Sequence, residues 1–283
     1  MTETILLEGF EERWTESRGI RLRSFLGGRH DGEPIVLVHG LGGAAANWAL
    51  LAPRLAERRH VLAVDLPGHG GSDPLPAAPS LAPYADRVAA IAADAGFDRA
   101  DFVGHSFGGL VALRLALRRP EVVRSVVLAA AAGITSSTRR AERILALVGA
   151  LKPGRRISPY WRRVAASRAL RELVFGHWGA ADPVVLPARA VEALLRDVGL
   201  HTDTDSAWRA LTRDDPRAEL EHIRCPCLVL WGAGDNQLPV ADAFEYARRL
   251  RAPVRMIADC GHFLIVERPD ACLDAIENLL ASR

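Results

Sequence analysis

The chain has 283 residues, 49% of them hydrophobic, enough for one large α/β domain with an insertion and too few for two full domains of that size. A net charge of +2 makes no electrostatic case for nucleic acid, and the near-absence of lysine (Lys152 alone) marks a compositional bias toward arginine rather than a set of phosphate clamps. Residues Met1–Glu8 lack the basic-then-apolar build of a signal peptide and no apolar run is long enough to span a membrane, so a cytoplasmic protein is expected.

In chain order, Leu6–Trp14 and Gly19–Leu26 read as an antiparallel pair with one wet face. Strand and helix then alternate. Pro34–His39 is a strand, Asn47–Glu57 a helix with Trp48, Leu51 and Leu55 on one side, Val61–Asp65 a strand, and Leu66–Asp73 a glycine-rich loop. A helix over Tyr84–Ala95 precedes the strand Asp101–Val103, and a helix from Gly108 precedes the strand Ser125–Leu128. The strands Cys227–Trp231 and Val254–Ile257 are followed by helices at Val240–Leu250 and Asp270–Leu280. Short apolar strands between amphipathic helices define the α/β class, a mostly parallel twisted sheet flanked by helices.

Between Gly133 and Pro216 helical periodicity replaces the strand pattern, at Ala141–Leu151, Tyr160–Val174, Val184–Leu200 and Ser206–Thr212. The chain therefore divides into a core domain, 1–133 and 218–283, and a helical cap, 134–217, expected over one edge of the sheet. The first part of the cap is rich in arginine, with Arg139, Arg140, Arg143, Lys152, Arg155 and Arg162 among its basic residues against Glu142 and Glu172. These charges read as solvated helix faces, with attraction of anionic substrates or a membrane surface the alternative, and Trp161, Trp178 and Trp208 as cap packing, with one or two lining an acyl or alcohol pocket the alternative.

Four motifs carry chemistry. Gly104-His105-Ser106-Phe107-Gly108 holds a serine on a sharp strand-to-helix turn, with glycines two before and two after it to relieve crowding. The strand Pro34–His39 runs into Gly40-Leu41-Gly42-Gly43; Cys227–Trp231 leads through Gly232-Ala233-Gly234 to Asp235; and Asp259-Cys260-Gly261-His262 follows the last strand. Ligands in such sheets bind at the carboxyl ends of the strands, so Ser106, Asp235, His262 and the Leu41 loop are expected at one edge although they are far apart in sequence.

A neutral serine hydroxyl needs a base, and His262 is the candidate. Asp235, after a strand and before His262, is the acid that would fix the imidazole's tautomer, and Ala129–Gly133, after the preceding strand, holds no carboxylate to compete with it. His39 and His105 read as backbone supports, His69 as a turn residue, and Asp259 and Glu267 as loop and helix-entry residues. The cysteines Cys225, Cys227, Cys260 and Cys272 make no zinc-type spacing, so no metal is expected; oxidation of Cys260 would disturb the neighbouring His262.

With these motifs in this order, the sequence resembles an α/β-hydrolase of the capped, carboxylesterase-like serine hydrolase kind, over nearly its whole length apart from about Ile134–Arg217. The resemblance implies that the backbone N–H groups of Leu41 and Phe107 form an oxyanion hole. The expected reaction is cleavage of carboxylic esters of small to medium apolar substrates through an acyl-enzyme on Ser106, with no cofactor. Alternatives within the fold are a carbon–carbon bond hydrolase, although Phe263 stands where ring-cleavage-product hydrolases carry tryptophan, and a cofactor-free perhydrolase or haloperoxidase. A third is a ligand-binding sensor with a slow triad. The expected partner is a small-molecule ester, with no nucleic acid and no membrane span; oligomeric state is left open.

Overall fold

The computed structural model describes residues 7–76, 80–136, 153–176 and 179–282. One eight-stranded sheet runs in the order β1-β2-β4-β3-β5-β6-β7-β8. β1 (Phe10–Ser17) and β2 (Ile20–Gly28) form a hairpin that joins antiparallel to β4 (His60–Val64). From β4 through β3 (Pro34–Val38), β5 (Ala100–His105), β6 (Val123–Ala129), β7 (Cys227–Gly232) and β8 (Val254–Ile257), every pairing is parallel. The hairpin turns at Arg18 and Gly19, both at positive φ (50° and 79°), the backbone that lets a two-residue turn follow the twist of its strands. β3, β5, β6 and β7 are buried along almost their whole length because helices cover both faces of the sheet.

The helices are α1 (Ala52–Ala56), α2 (Ala82–Asp94), α3 (Phe107–Arg118), α4 (Pro153–Ile157), α5 (Trp161–Ala166), α6 (Arg168–Phe175), α7 (Ala188–Leu195), α8 (Asp205–Arg213), α9 (Val240–Leu250), α10 (Leu264–Glu267) and α11 (Pro269–Ala281). The expected helix Asn47–Glu57 is instead a 3-10 turn, Ala45–Trp48, followed by α1. The Asn47 side chain accepts the Ala44 N–H and donates to the Ala193 carbonyl, and Pro53 lacks an N–H, so the two turns stay separate. Trp48, Leu51 and Leu55 are nonetheless fully buried, as their spacing required.

Between β6 and β7 the described residues contain helices and no strand. The helix read over Tyr160–Val174 is two helices, because Ser167 takes an extended conformation and caps α6, its Oγ accepting the Leu170 N–H at 3.3 Å. Val184–Leu200 likewise divides, with Pro187 separating the 3-10 turn Pro183–Val185 from α7, and a second 3-10 turn, Asp197–Leu200, following α7. The helix read at Ala141–Leu151 lies outside the described residues, as do Arg139, Arg140, Glu142, Arg143, Lys152 and Trp178. The insertion is anchored at its far end by Arg114 of α3, which pairs with Asp214 at 2.5 Å and Glu219 at 2.8 Å. No helix among the described residues is long and apolar enough to cross a membrane.

Two glycines set how closely α3 approaches the sheet. A Cβ on Gly108 would overlap the carbonyl oxygen of Val38, and one on Gly104 would overlap the Gly108 carbonyl. Gly108→Ala is expected to lower the unfolding free energy by about 1–3 kcal/mol; urea denaturation measures it, and an unchanged midpoint would show that α3 can retreat from β3.

Candidate active site

Ser106 stands between β5 and α3 at φ 52° and ψ −117°. Such a conformation costs a residue with a Cβ about 1–3 kcal/mol and persists only where its surroundings impose it. Here they do: the Ser106 N–H donates to Ala129 at 2.9 Å, and its carbonyl accepts from Gly109 at 3.0 Å and Ala132 at 3.1 Å. Within residues 101–110 every residue except Ser106 is buried, so the turn presents the serine alone. Phe107, packed edge-on against Tyr84 with ring centroids 5.4 Å apart, opens α3, where first-turn N–H groups have no intrahelical partner and the helix dipole is positive.

The loop after β3 lies beside this turn, since a Cβ on Gly40 would sit 3.1 Å from the Ser106 Cβ. His39 is fully buried; its Nε2 accepts the Leu66 N–H at 3.0 Å and its Nδ1–H donates to the Gly40 carbonyl at 2.7 Å. Burial drives its pKa down to about 3, so the ring is neutral in that tautomer. A trans peptide points its C=O and N–H in opposite directions, so holding the Gly40 oxygen sets the direction of the Leu41 N–H.

The same loop is held from the insertion, through contacts that local sequence patterns did not indicate. His201 donates from Nε2 to the Gly42 carbonyl at 3.0 Å while its Nδ1 accepts the Gly70 N–H at 2.9 Å. The N–H groups of Thr202 and Asp203 both donate to the Gly68 carbonyl, at 3.1 and 3.2 Å. Arg23 bridges Asp65, at the end of β4, and Asp197 of the insertion, each at 2.6 Å. His69 is a buried turn residue, its Nδ1 bonded to the Pro67 carbonyl at 3.0 Å.

Asp235 and His262 meet at the ends of β7 and β8. The His262 Nδ1–H donates to Asp235 Oδ2 at 2.9 Å, with the two side chains 3% and 0% exposed. Burial alone would raise the Asp235 pKa, but the His262 bond and charge and the N–H groups of Leu238 and Gln237, each 2.9 Å from Oδ1, hold it below the ordinary carboxylate value. The two loops are joined by the Gly234 N–H on the Cys260 carbonyl at 2.8 Å.

His262 is supported on every side. His105, next to Ser106 in the chain, donates from Nε2 to the His262 carbonyl at 2.9 Å, and the two rings lie 5.0 Å apart. Burial takes the His105 pKa down to about 3, so it supports the backbone as a neutral donor. The His262 N–H donates to the Gly179 carbonyl of the insertion. Glu267, read from sequence as a helix-entry residue, ends α10 and accepts the N–H groups on both sides of His262, from Gly261 at 3.0 Å and Phe263 at 3.1 Å, and that of Ala181 at 2.8 Å. With Nδ1 bound to a buried carboxylate, Nε2 is the ring nitrogen free to take a proton. Cys260 is fully buried and burial pushes its thiol up to about 12, which leaves no reactive thiolate.

Residues 35–275 match the model of the alpha/beta hydrolase family, and the chain belongs to that family. It is 31% identical over 259 residues to the dihydrolipoyllysine-residue acetyltransferase component of an acetoin cleaving system from Pseudomonas putida, covering 89% of this chain and 64% of that protein. The chain thus spans less than two thirds of that relative's length. It is 35% identical over 212 residues to a pimeloyl-[acyl-carrier protein] methyl ester esterase from Neisseria meningitidis, covering 72% of this chain and 76% of the other. Among solved structures, a bacterial membrane phospholipase A superposes with a TM-score of 0.74 at 29% identity, covering 98% of this chain and 87% of that one.

His201→Ala is expected to lower kcat about 10- to 100-fold with a smaller change in KM, less than the roughly 10²- to 10³-fold cost of deleting an oxyanion donor outright; steady-state kinetics on a soluble ester measures it. The lowered pKa values of His39 and His105 mean that the unfolded chain binds protons the folded chain excludes. Their contribution to stability is complete above about pH 6.5, the unfolded imidazole value, and is lost as pH falls toward about 3. Urea midpoints should fall through that window, and less steeply for His105→Asn. Peroxide should inactivate Cys260→Ala and the parent equally; protection by the substitution would contradict the buried, protonated thiol.

Proposed function

We propose that the chain is a serine-dependent carboxylic ester hydrolase acting on small to medium apolar esters. The observation that carries this reading is that the Asp235–His262 pair is pinned by His105 to the turn that presents Ser106. Ser106 attacks the ester carbonyl while His262 takes its proton; the tetrahedral oxyanion is met by the N–H groups of Leu41 and Phe107; His262 then protonates the leaving alkoxide and activates water against the acyl-enzyme. Residues 134–217 serve as a cap over this edge, as the contacts of His201, Gly179 and Ala181 with the loops around the site support. The relatives named as a methyl ester esterase and a phospholipase A support ester chemistry. The residues named in these roles need no metal or organic cofactor.

Ser106→Ala or His262→Ala should lower turnover by about 10⁶, and Asp235→Ala by about 10⁴, on p-nitrophenyl esters. A panel of short and long acyl esters, with fluorophosphonate labelling of Ser106 alongside, separates the enzyme from a ligand sensor: a sensor labels and does not turn over. Near-normal rates in Ser106→Ala would defeat the mechanism.

A further inference from the structure

α6 carries apolar side chains on both its inner and its outer side. Its inner end, Phe175, is buried, and its ring meets Phe263, the residue after His262, edge-on at 6.2 Å. Its outer face carries Leu170 and Leu173, three residues apart and so side by side, with Leu173 71% exposed. The 3-10 turn packed against α6 adds exposed Val185, and Tyr160, 55% exposed, precedes α5, which packs on α6.

The charge around these side chains is mainly positive. Arg155, Arg156, Arg162, Arg163 and Arg168 are all exposed, and none forms an ion pair among the described residues. Within 153–176 the sole acid is Glu172, and the adjoining turn adds Asp182, whose carboxylate caps the Val184 N–H at 3.1 Å. Arg162 stacks on Trp161 at 4.8 Å and Arg163 on Tyr160 at 5.7 Å from the ring centroids. Long arginine side chains that lie along aromatic rings, with exposed aliphatic groups beside them, suit a boundary where negative headgroups lie above hydrocarbon.

We propose that the outward face of α4–α6, with Val185, docks this protein on an anionic lipid bilayer. The arginines meet headgroup phosphates while Leu170, Leu173 and Val185 enter the acyl boundary. A soluble polyanion such as RNA would use the arginines and leave the aliphatic side chains in water, which is why the lipid surface is the better fit. Docked this way, the helix whose outer face touches lipid ends at Phe175, against the residue beside His262.

The test is co-sedimentation of the full chain with vesicles of phosphatidylglycerol mixed into phosphatidylcholine, compared with phosphatidylcholine alone, and it reads binding independently of any turnover. Binding to the anionic vesicles that weakens with salt and is absent on the neutral ones is expected. Arg155→Glu/Arg168→Glu should weaken it by at least about 25-fold, roughly fivefold for each arginine lost. Leu173→Asp should weaken it as well, with thermal unfolding unchanged in both variants. The proposal is overturned by no binding to anionic vesicles at low salt, by equal binding to neutral ones, or by unaltered binding of the charge-reversed variant. It is equally overturned by capture on polyuridylate without capture on vesicles.

Discussion

The contact on which the site depends is backbone against backbone, where α3 enters directly over the end of β3. Gly108 lies against the carbonyls of Val38 and His39, and Gly104 against Gly108 itself, with no room at either for a side chain. This approach holds Ser106 in its costly conformation and sets the loop after β3 beside it. A wider turn would let the serine relax to an ordinary backbone conformation and would separate it from the Leu41 loop.

Around that turn the polar groups are organised as neutral donors with fixed directions and as paired charges. His39 and His105 are kept uncharged by burial and each uses a ring N–H on a carbonyl oxygen, Gly40 for one and His262 for the other. A charged imidazole at either place would face desolvation without a compensating acid. Two buried carboxylates near the site are each held by a partner: Asp65 by Arg23, which also pairs with Asp197, and Asp235 by the His262 Nδ1–H. Breaking one partner of such a set leaves the other buried and unpaired, which makes these positions intolerant of substitution.

The helical insertion takes part in both halves of this arrangement. Through His201 it holds the Gly42 carbonyl in the loop after β3, and through Gly179 and Ala181 it meets the backbone of His262 and the carboxylate of Glu267. Displacing the insertion would therefore release restraints on the loop beside Ser106 and on the imidazole together. Its influence on the chemistry is geometric, exercised through peptide groups whose orientation it sets.

The alternation of strands and helices, the parallel sheet, and the positions of Ser106, Asp235, His262 and the Leu41 loop after strands of that sheet were legible in the chain itself. Strand burial, helix periodicity and the position of a residue after a strand are local properties, written in neighbouring residues. Helix ends were legible less well, because Ser167 and Pro187 divide apparently continuous helices through capping and a missing N–H. Only the tertiary structure decided that His201 spans Gly42 and Gly70, that Glu267 brackets His262, and that Arg23 joins Asp65 to Asp197. Those partners come from distant elements or depend on which way a backbone turns, and a hydrogen bond between them has no periodicity or spacing by which a linear sequence can announce it.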